Sequence, residues 1–336
     1  MRKGDTIFFD APPAVFCQGA VGGKRESEGP LAAGFDLLFP ENSLGEETWE
    51  AAESRLQQHC LELTLQKARL TPAQLDLVLG GDLENQCTAT AYHMSRVDVP
   101  FAGLYGACST MAEALGLAAC LAAGGFVRVA AALTGSHFCA AERQFRTPLG
   151  YGAKRAPVAQ WTATAAGCCL VAPAGPGPRV RAVTFGRVRD YGVKDAANMG
   201  AAMAPAAAET ILRYCADAGR APADFDAVYT GDLGLVGSRL LADILKEEGL
   251  ALPNHRDCGL ELFDLRAQQV QAGGSGAGCS AAVLCARVLP ALKAGRMRRV
   301  LFLSTGALMS QITCLQGAGI PGVAHLVELT AEEEVL

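Results

Sequence analysis

Leu70-Thr71-Pro72-Ala73-Gln74-Leu75-Asp76-Leu77-Val78-Leu79-Gly80-Gly81-Asp82-Leu83 aligns without gaps to Arg220-Ala221-Pro222-Ala223-Asp224-Phe225-Asp226-Ala227-Val228-Tyr229-Thr230-Gly231-Asp232-Leu233, an offset of 150 residues. A second pair of blocks follows in the same order. Ala107-Cys108-Ser109 through Ala123-Gly124 and Val129 to Thr134-Gly135 matches Gly278-Cys279-Ser280 through Ala294-Gly295 and Val300 to Thr305-Gly306, at an offset of 171. Two matched blocks in one order, with an insertion between them in the second copy, mark a duplicated supersecondary unit. Trp49 to Arg69 carries Ala52, Leu56, Cys60, Leu63 and Ala68 at helical spacing, and Leu75 to Leu79 reads as a buried strand. Helix 108–123 and strand 127–133 follow, and the second copy predicts helices over 204–218 and 279–294 with strands over 226–230 and 298–304. Helices alternating with apolar strands predict an α/β fold of two halves, 1–178 and 179–336, with mainly parallel sheets covered on both faces.

Composition agrees with that reading. The chain has 336 residues with 38 glycines, 13 cysteines, 6% aromatics and 50% hydrophobic residues, which excludes disordered and fibrous classes. Ala, Gly, Leu and Val must do the packing, and small residues let helices approach a sheet closely. A formal charge of −5 without long like-charge runs gives nothing that would draw nucleic acid. The apolar patch Ile7-Phe8-Phe9 is cut by Asp10 and Pro12, so no secretory signal is expected. Leu115 to Leu133 contains Arg128 and a Gly124-Gly125 break, too interrupted for a bilayer span. A soluble protein of a cytosol-like compartment is expected. The cysteines lack zinc-ligand spacing, so they read as reduced small hydrophobes and no metal site is expected.

One cysteine differs. Gly106-Ala107-Cys108-Ser109-Thr110 is a small-residue turn that sets Cys108 at the start of a helix, where first-turn amides and the helix dipole favour a thiolate. That is the placement of a nucleophile, although Cys279 in the matching block shows that a cysteine here can also be framework. Gly135 to Thr164, rich in charge and turn residues, is the longest irregular stretch and reads as a functional insertion. His137, whose partner at offset 171 is Leu308, ends the strand before that insertion and is placed to approach Cys108. His59, His93, His255 and His325 read as structural.

A duplicated α/β half with Gly-Ala-Cys-Ser at a helix start resembles the thiolase and ketoacyl synthase superfamily. A closer resemblance, to the stage V sporulation AD family of endospore-forming bacteria, is carried by Gly81-Asp82-Leu83-Glu84-Asn85-Gln86, Gly135-Ser136-His137, Ala141-Glu142-Arg143-Gln144-Phe145-Arg146, Asn198-Met199-Gly200, Lys246-Glu247-Glu248-Gly249, Asn254-His255-Arg256-Asp257-Cys258-Gly259 and Ala272-Gly273-Gly274-Ser275-Gly276. The superfamily resemblance implies a five-layered α-β-α-β-α fold, commonly dimeric, with a pocket between the halves. Its condensing enzymes carry a His after the strand equivalent to Ala227–Thr230, where this chain has Gly231-Asp232, and a His or Asn where Gly274-Ser275-Gly276 stands. Asp and Ser do not polarise an acyl carbonyl as an imidazole or amide does.

The family resemblance therefore implies a noncatalytic protein that binds dipicolinic acid, pyridine-2,6-dicarboxylate, or its calcium chelate, for uptake into the developing spore. The alternative is an acyltransferase or condensing enzyme with Cys108 as acyl acceptor and His137 as an unusual base. The partners implied are membrane-embedded proteins of the same sporulation operon and a second copy of the chain, with peripheral attachment to the spore inner membrane. No cofactor is expected besides calcium arriving with the ligand. Arg suits carboxylates by its planar fork, and Arg143 and Arg146, three apart, would share a helical face, either toward the ligand or in a dimer interface, with Glu142 as partner. Cys108 and Ser109, His137, and Ser275 in its glycine-rich anion nest complete the candidates with Asp82 and Asp232. These two aspartates end equivalent strands and read as duplicated helix caps that also line the pocket.

Overall fold

The computed structural model describes residues 1–145 and 155–332. In the first half the framework strands are β1 (Ala14–Gly22), β2 (Leu77–Gly81), β3 (Phe101–Gly103), β4 (Ala130–Ser136) and β5 (Ala165–Ala172). In the second they are β6 (Arg179–Thr184), β7 (Ala227–Thr230), β8 (His255–Asp257), β9 (Arg299–Ala307) and β10 (Gly322–Thr330). They lie in the order β3-β2-β4-β5-β1-β6-β10-β9-β7-β8, so the second half repeats the first strand for strand about a central joint. At the joint Arg179 of β6 faces Ala14 of β1. The outer pairs β2/β3, β2/β4, β7/β8 and β7/β9 are parallel, and the inner pairs β4/β5, β5/β1, β9/β10 and β10/β6 are antiparallel.

The ladders correct the second sequence offset. Val78 faces Ala131 and Val228 faces Leu301, so equivalent positions of β4 and β9 are 170 apart. The match of Thr134-Gly135 to Thr305-Gly306 is thus one residue out of step with the ladder. The structural copy of His137 is therefore Ala307.

The helices that frame the site are α1 (Trp49–Ala68), α2 (Thr88–Met94), α3 (Thr110–Ala123), α4 (Phe138–Phe145), α5 (Met199–Ala218), α6 (Gly234–Glu247), α7 (Cys258–Leu262), α8 (Ala277–Val283) and, after a π turn over Leu284–Val288, α9 (Leu289–Lys293). α1 begins where Thr48 accepts a hydrogen bond from the Ala51 amide, and it ends in the left-handed Arg69. α5 starts earlier than expected because Asn198 caps it by accepting from the Ala201 amide, leaving Pro205 inside the helix instead of at its first turn. α4 occupies part of the stretch expected to be irregular, its buried face being Ala140, Ala141 and Glu142.

α3 touches β2, β4 and β5 on one side and β9 and β10 on the other, and α8 packs beside it on β4 and β5. Together they form the middle of five layers. α1 covers the outer face of the first half and α5, with α6 against it, that of the second. Small residues permit this spacing: a Cβ on Gly278 of α8 would stand 2.0 Å from the Ala165 carbonyl oxygen, and one on Gly167 of β5 2.4 Å from that of Ala281. Thr110, Ala112, Ala114, Leu115, Ala118 and Ala119 of α3 are wholly buried.

Candidate functional site

The turn from β3 into α3 carries Cys108. Ala107 takes a left-handed conformation, φ 52°. The Ser109 hydroxyl donates to the Gly106 carbonyl at 2.6 Å and the Thr110 hydroxyl to the Ala107 carbonyl at 2.7 Å, which closes the turn and turns Ser109 away from solvent. Gly306 of β9 presses on this turn, and a Cβ there would meet the Gly106 carbonyl oxygen at 2.5 Å. The second half thus braces the thiol of the first.

Asp232 follows β7, fully buried. One carboxylate oxygen accepts from the Ser275 hydroxyl at 2.9 Å and the Gly276 amide at 3.0 Å, and the other accepts from the Thr305 hydroxyl at 2.9 Å. Ser275 Oγ lies 4.0 Å from Cys108 Sγ. Cys108, Ser275 and Asp232 therefore form one row contributed by both halves, with Asp232 fully buried behind Ser275. Burial pushes the Cys108 thiol well above its ordinary pKa, and the Asp232 carboxylate pushes it the same way. Burial thus works against the thiolate that the helix start favours.

Gln160 ties the loops of the second half to this row, its amide donating to the carbonyls of Asp232 at 2.6 Å and Gly274 at 2.8 Å. Above Cys108 opens a cavity of about 420 Å³. Its floor is Ala107, Cys108 and Ser275. One wall is Leu83 with Ala141, Glu142 and Phe145 of α4, another is Arg155, Ala156, Ala159, Gln160 and Thr162, and the second half supplies Ala196, Ala197, Met199, Met203, Ala307 and Met309. Arg155 Nη1 meets Glu142 Oε1 at 2.9 Å.

Of the expected site residues, Cys108, Ser275 and Glu142 line the cavity and Asp232 supports its floor. Ser109 is spent on the turn. Asp82 caps instead: it accepts from the Glu84 amide and from the amide and hydroxyl of Thr90, behind the cavity wall. Its repeat does not cap. Asp257 takes that role for α6, accepting from the Leu233 and Gly234 amides at 2.8 and 3.0 Å, which leaves Asp232 to the thiol. His137 is turned away from Cys108. Its Nε2 lies 2.7 Å from the Asn42 carbonyl, its Nδ1 accepts from the Cys139 amide, and its ring stacks on Trp49 at 5.6 Å. With Nε2 donating and Nδ1 accepting, the imidazole keeps no lone pair for a substrate, and burial holds its pKa below the ordinary value. None of the chain's five histidines is among the described cavity-lining residues. Arg143 pairs with Glu50 at the surface, so Glu142 serves Arg155 instead of Arg143, and Arg146 lies outside the described residues. Arg155, Gln160 and Thr305 were not singled out from sequence. The insertion was the only signal for the first two, and the corrected repeat, which sets Thr305 opposite Gly135, the signal for the third. Among the described residues no group of three or more His, Cys, Asp or Glu side chains is arranged to hold a metal ion, and no helix is long and apolar enough to cross a membrane.

Layered halves with a thiol at the start of the central helix define the class. Among solved structures the chain is similar to 3-oxoacyl-[acyl-carrier-protein] synthase III of Aquifex aeolicus VF5 (TM-score 0.57, 12% identity, 95% of this chain and 99% of that one). It is also similar to cerulenin-bound OleA of Xanthomonas campestris (TM-score 0.61, 14% identity, 98% and 99%). At such identity these likenesses establish the thiolase-like, ketoacyl synthase-type fold. The stage V sporulation protein AD (SpoVAD) family profile matches residues 3–330, and the Stage V sporulation protein AD of Bacillus subtilis strain 168 is 40% identical over 321 residues, 95% of each chain. The chain belongs to the SpoVAD family, a sporulation family with a condensing-enzyme fold.

Proposed function

We propose that this protein binds dipicolinic acid, as the free dianion or its calcium chelate, in the cavity above Cys108 and carries out no acyl transfer there. The observation that carries the reading is the set of groups around the thiol. Burial and the Asp232 carboxylate favour the thiol form of Cys108, which faces Ser275, and no imidazole is among the described cavity-lining residues to take its proton. What is left is a ligand-sized space with largely apolar walls and a few polar groups at fixed places, the ordinary form of a small-molecule site. Delivery of the ligand to the spore through membrane-embedded proteins of the same operon, attachment at the spore inner membrane and assembly as a homodimer belong to the same proposal.

The alternative, acyl transfer through Cys108, is favoured by one observation, the opening of the cavity onto that sulfur. Two measurements separate the readings. Calorimetry with sodium dipicolinate, with and without calcium, should give saturable binding, and intact-mass analysis after incubation with acyl-CoA donors should give an unmodified chain. An acyl mass retained on Cys108, with no heat from dipicolinate, would establish the alternative.

A further inference from the structure

Arg155 and Glu142 face each other in the cavity wall, their side chains 12% and 10% exposed. Groups that leave the guanidinium little freedom hold it in place. Arg155 Nη2 donates to the Gln160 carbonyl, and the guanidinium lies 5.2 Å from the Trp161 ring and 5.5 Å from that of Phe138, which are themselves stacked at 4.0 Å. Gln160 is pinned in turn by its two amide hydrogen bonds. The arginine is thus fixed, with one guanidinium nitrogen on a carboxylate that itself lines the cavity.

On the reading that this cavity takes a planar aromatic acid, we infer that a carboxylate of the ligand docks by taking the place of Glu142 on Arg155. A guanidinium this largely withdrawn from solvent favours keeping a carboxylate beside it, because an unpaired charge with little hydration is unfavourable. Exchange of one carboxylate for another meets that condition, and the planar fork accepts either. Adding a ligand anion beside an undisplaced Glu142 would instead set two like charges against each other in a poorly screened site. Glu142 is then an internal competitor that occupies the anion subsite of the empty protein, and Arg155 selects for a carboxylate over an uncharged ring of the same shape.

The two members of one salt bridge should therefore change binding in opposite directions, which a purely structural pair would not do. Calorimetry with sodium dipicolinate in calcium-free buffer tests this on the full chain. Arg155→Gln should weaken binding by about tenfold or more and Arg155→Lys by less, whereas Glu142→Gln should tighten it by about threefold or more. Pyridine-2,6-dicarboxamide should not bind. If Arg155→Gln does not fold, judged by thermal melting, Arg155→Lys and Glu142→Gln carry the test. Wild-type binding that is weakened by Glu142→Gln as much as by the Arg155 variants, or unaffected by the Arg155 variants, overturns the exchange while leaving the ligand assignment standing. No binding of dipicolinate to the wild-type chain removes the ligand assignment itself, and is read before any variant.

Discussion

At Cys108 two influences oppose each other. The start of α3 offers amides and a dipole end that favour a thiolate, whereas burial and the Asp232 carboxylate favour the thiol. The second pair prevails, and the pKa goes up. At pH 8 iodoacetamide should therefore alkylate Cys108 at least about tenfold more slowly than a free small thiol, and Asp232→Asn should raise the rate. Alkylation of the wild-type residue as fast as a free thiol, read by peptide mass mapping, would contradict this. The sequence reveals the turn, and by resemblance it reveals that Asp232 and Ser275 stand where condensing enzymes carry other groups. It does not reveal that burial outweighs the helix start, because that balance depends on how far Gly306 and the second half close over the turn. The orientation of His137 is hidden for a related reason. Its place at the end of β4 was legible, but the direction of its ring is set by Asn42 and Trp49, distant in sequence.

Among the elements, the helices and strands that repeat were the most legible, since apolar spacing and the Pro-containing turn occur twice. Asp76 and Asp226 show the repeat at work. Each ends the turn before its strand and accepts from two successive amides of the loop entering the next strand, Arg128 and Val129 in one half, Arg298 and Arg299 in the other. Boundaries are less legible where a proline or a small-residue run hides the true cap, as at Asn198, and α4 is hidden because its polar run Glu142-Arg143-Gln144 resembles a loop. Close approach also decides how α5 and α6 pack. A Cβ on Gly237 would come within 2.8 Å of the Gly200 carbonyl oxygen and 2.9 Å of Gly200 Cα. Backbone cannot yield as a side-chain end can, so Gly237→Ala should destabilise the protein by about 1–3 kcal/mol, measured by urea unfolding. A change below about 0.5 kcal/mol would show that α6 shifts freely on α5.

For the whole molecule, duplication explains why the site lies where it does. Each half presents strand ends and a central helix to the other, and the row Cys108, Ser275, Asp232 forms only when the two copies close together, with β9 of the second half pressed against the cysteine turn of the first. The two copies differ where the site lies. Asp82 caps in the first half, whereas in the second Asp257 caps and Asp232 turns to the Cys108 row. The insertion in the first half, with no equal in the second, supplied Arg155, Gln160 and the cavity-lining face of α4. On the proposed reading, the fold keeps its thiol and cavity and uses them for binding. The most direct measurement is a crystal structure of the chain grown with dipicolinate. Binding without catalysis requires density for one flat, non-covalent ligand between Cys108 and Arg155, and an empty cavity, a ligand elsewhere, or an acyl group joined to Cys108 would contradict it.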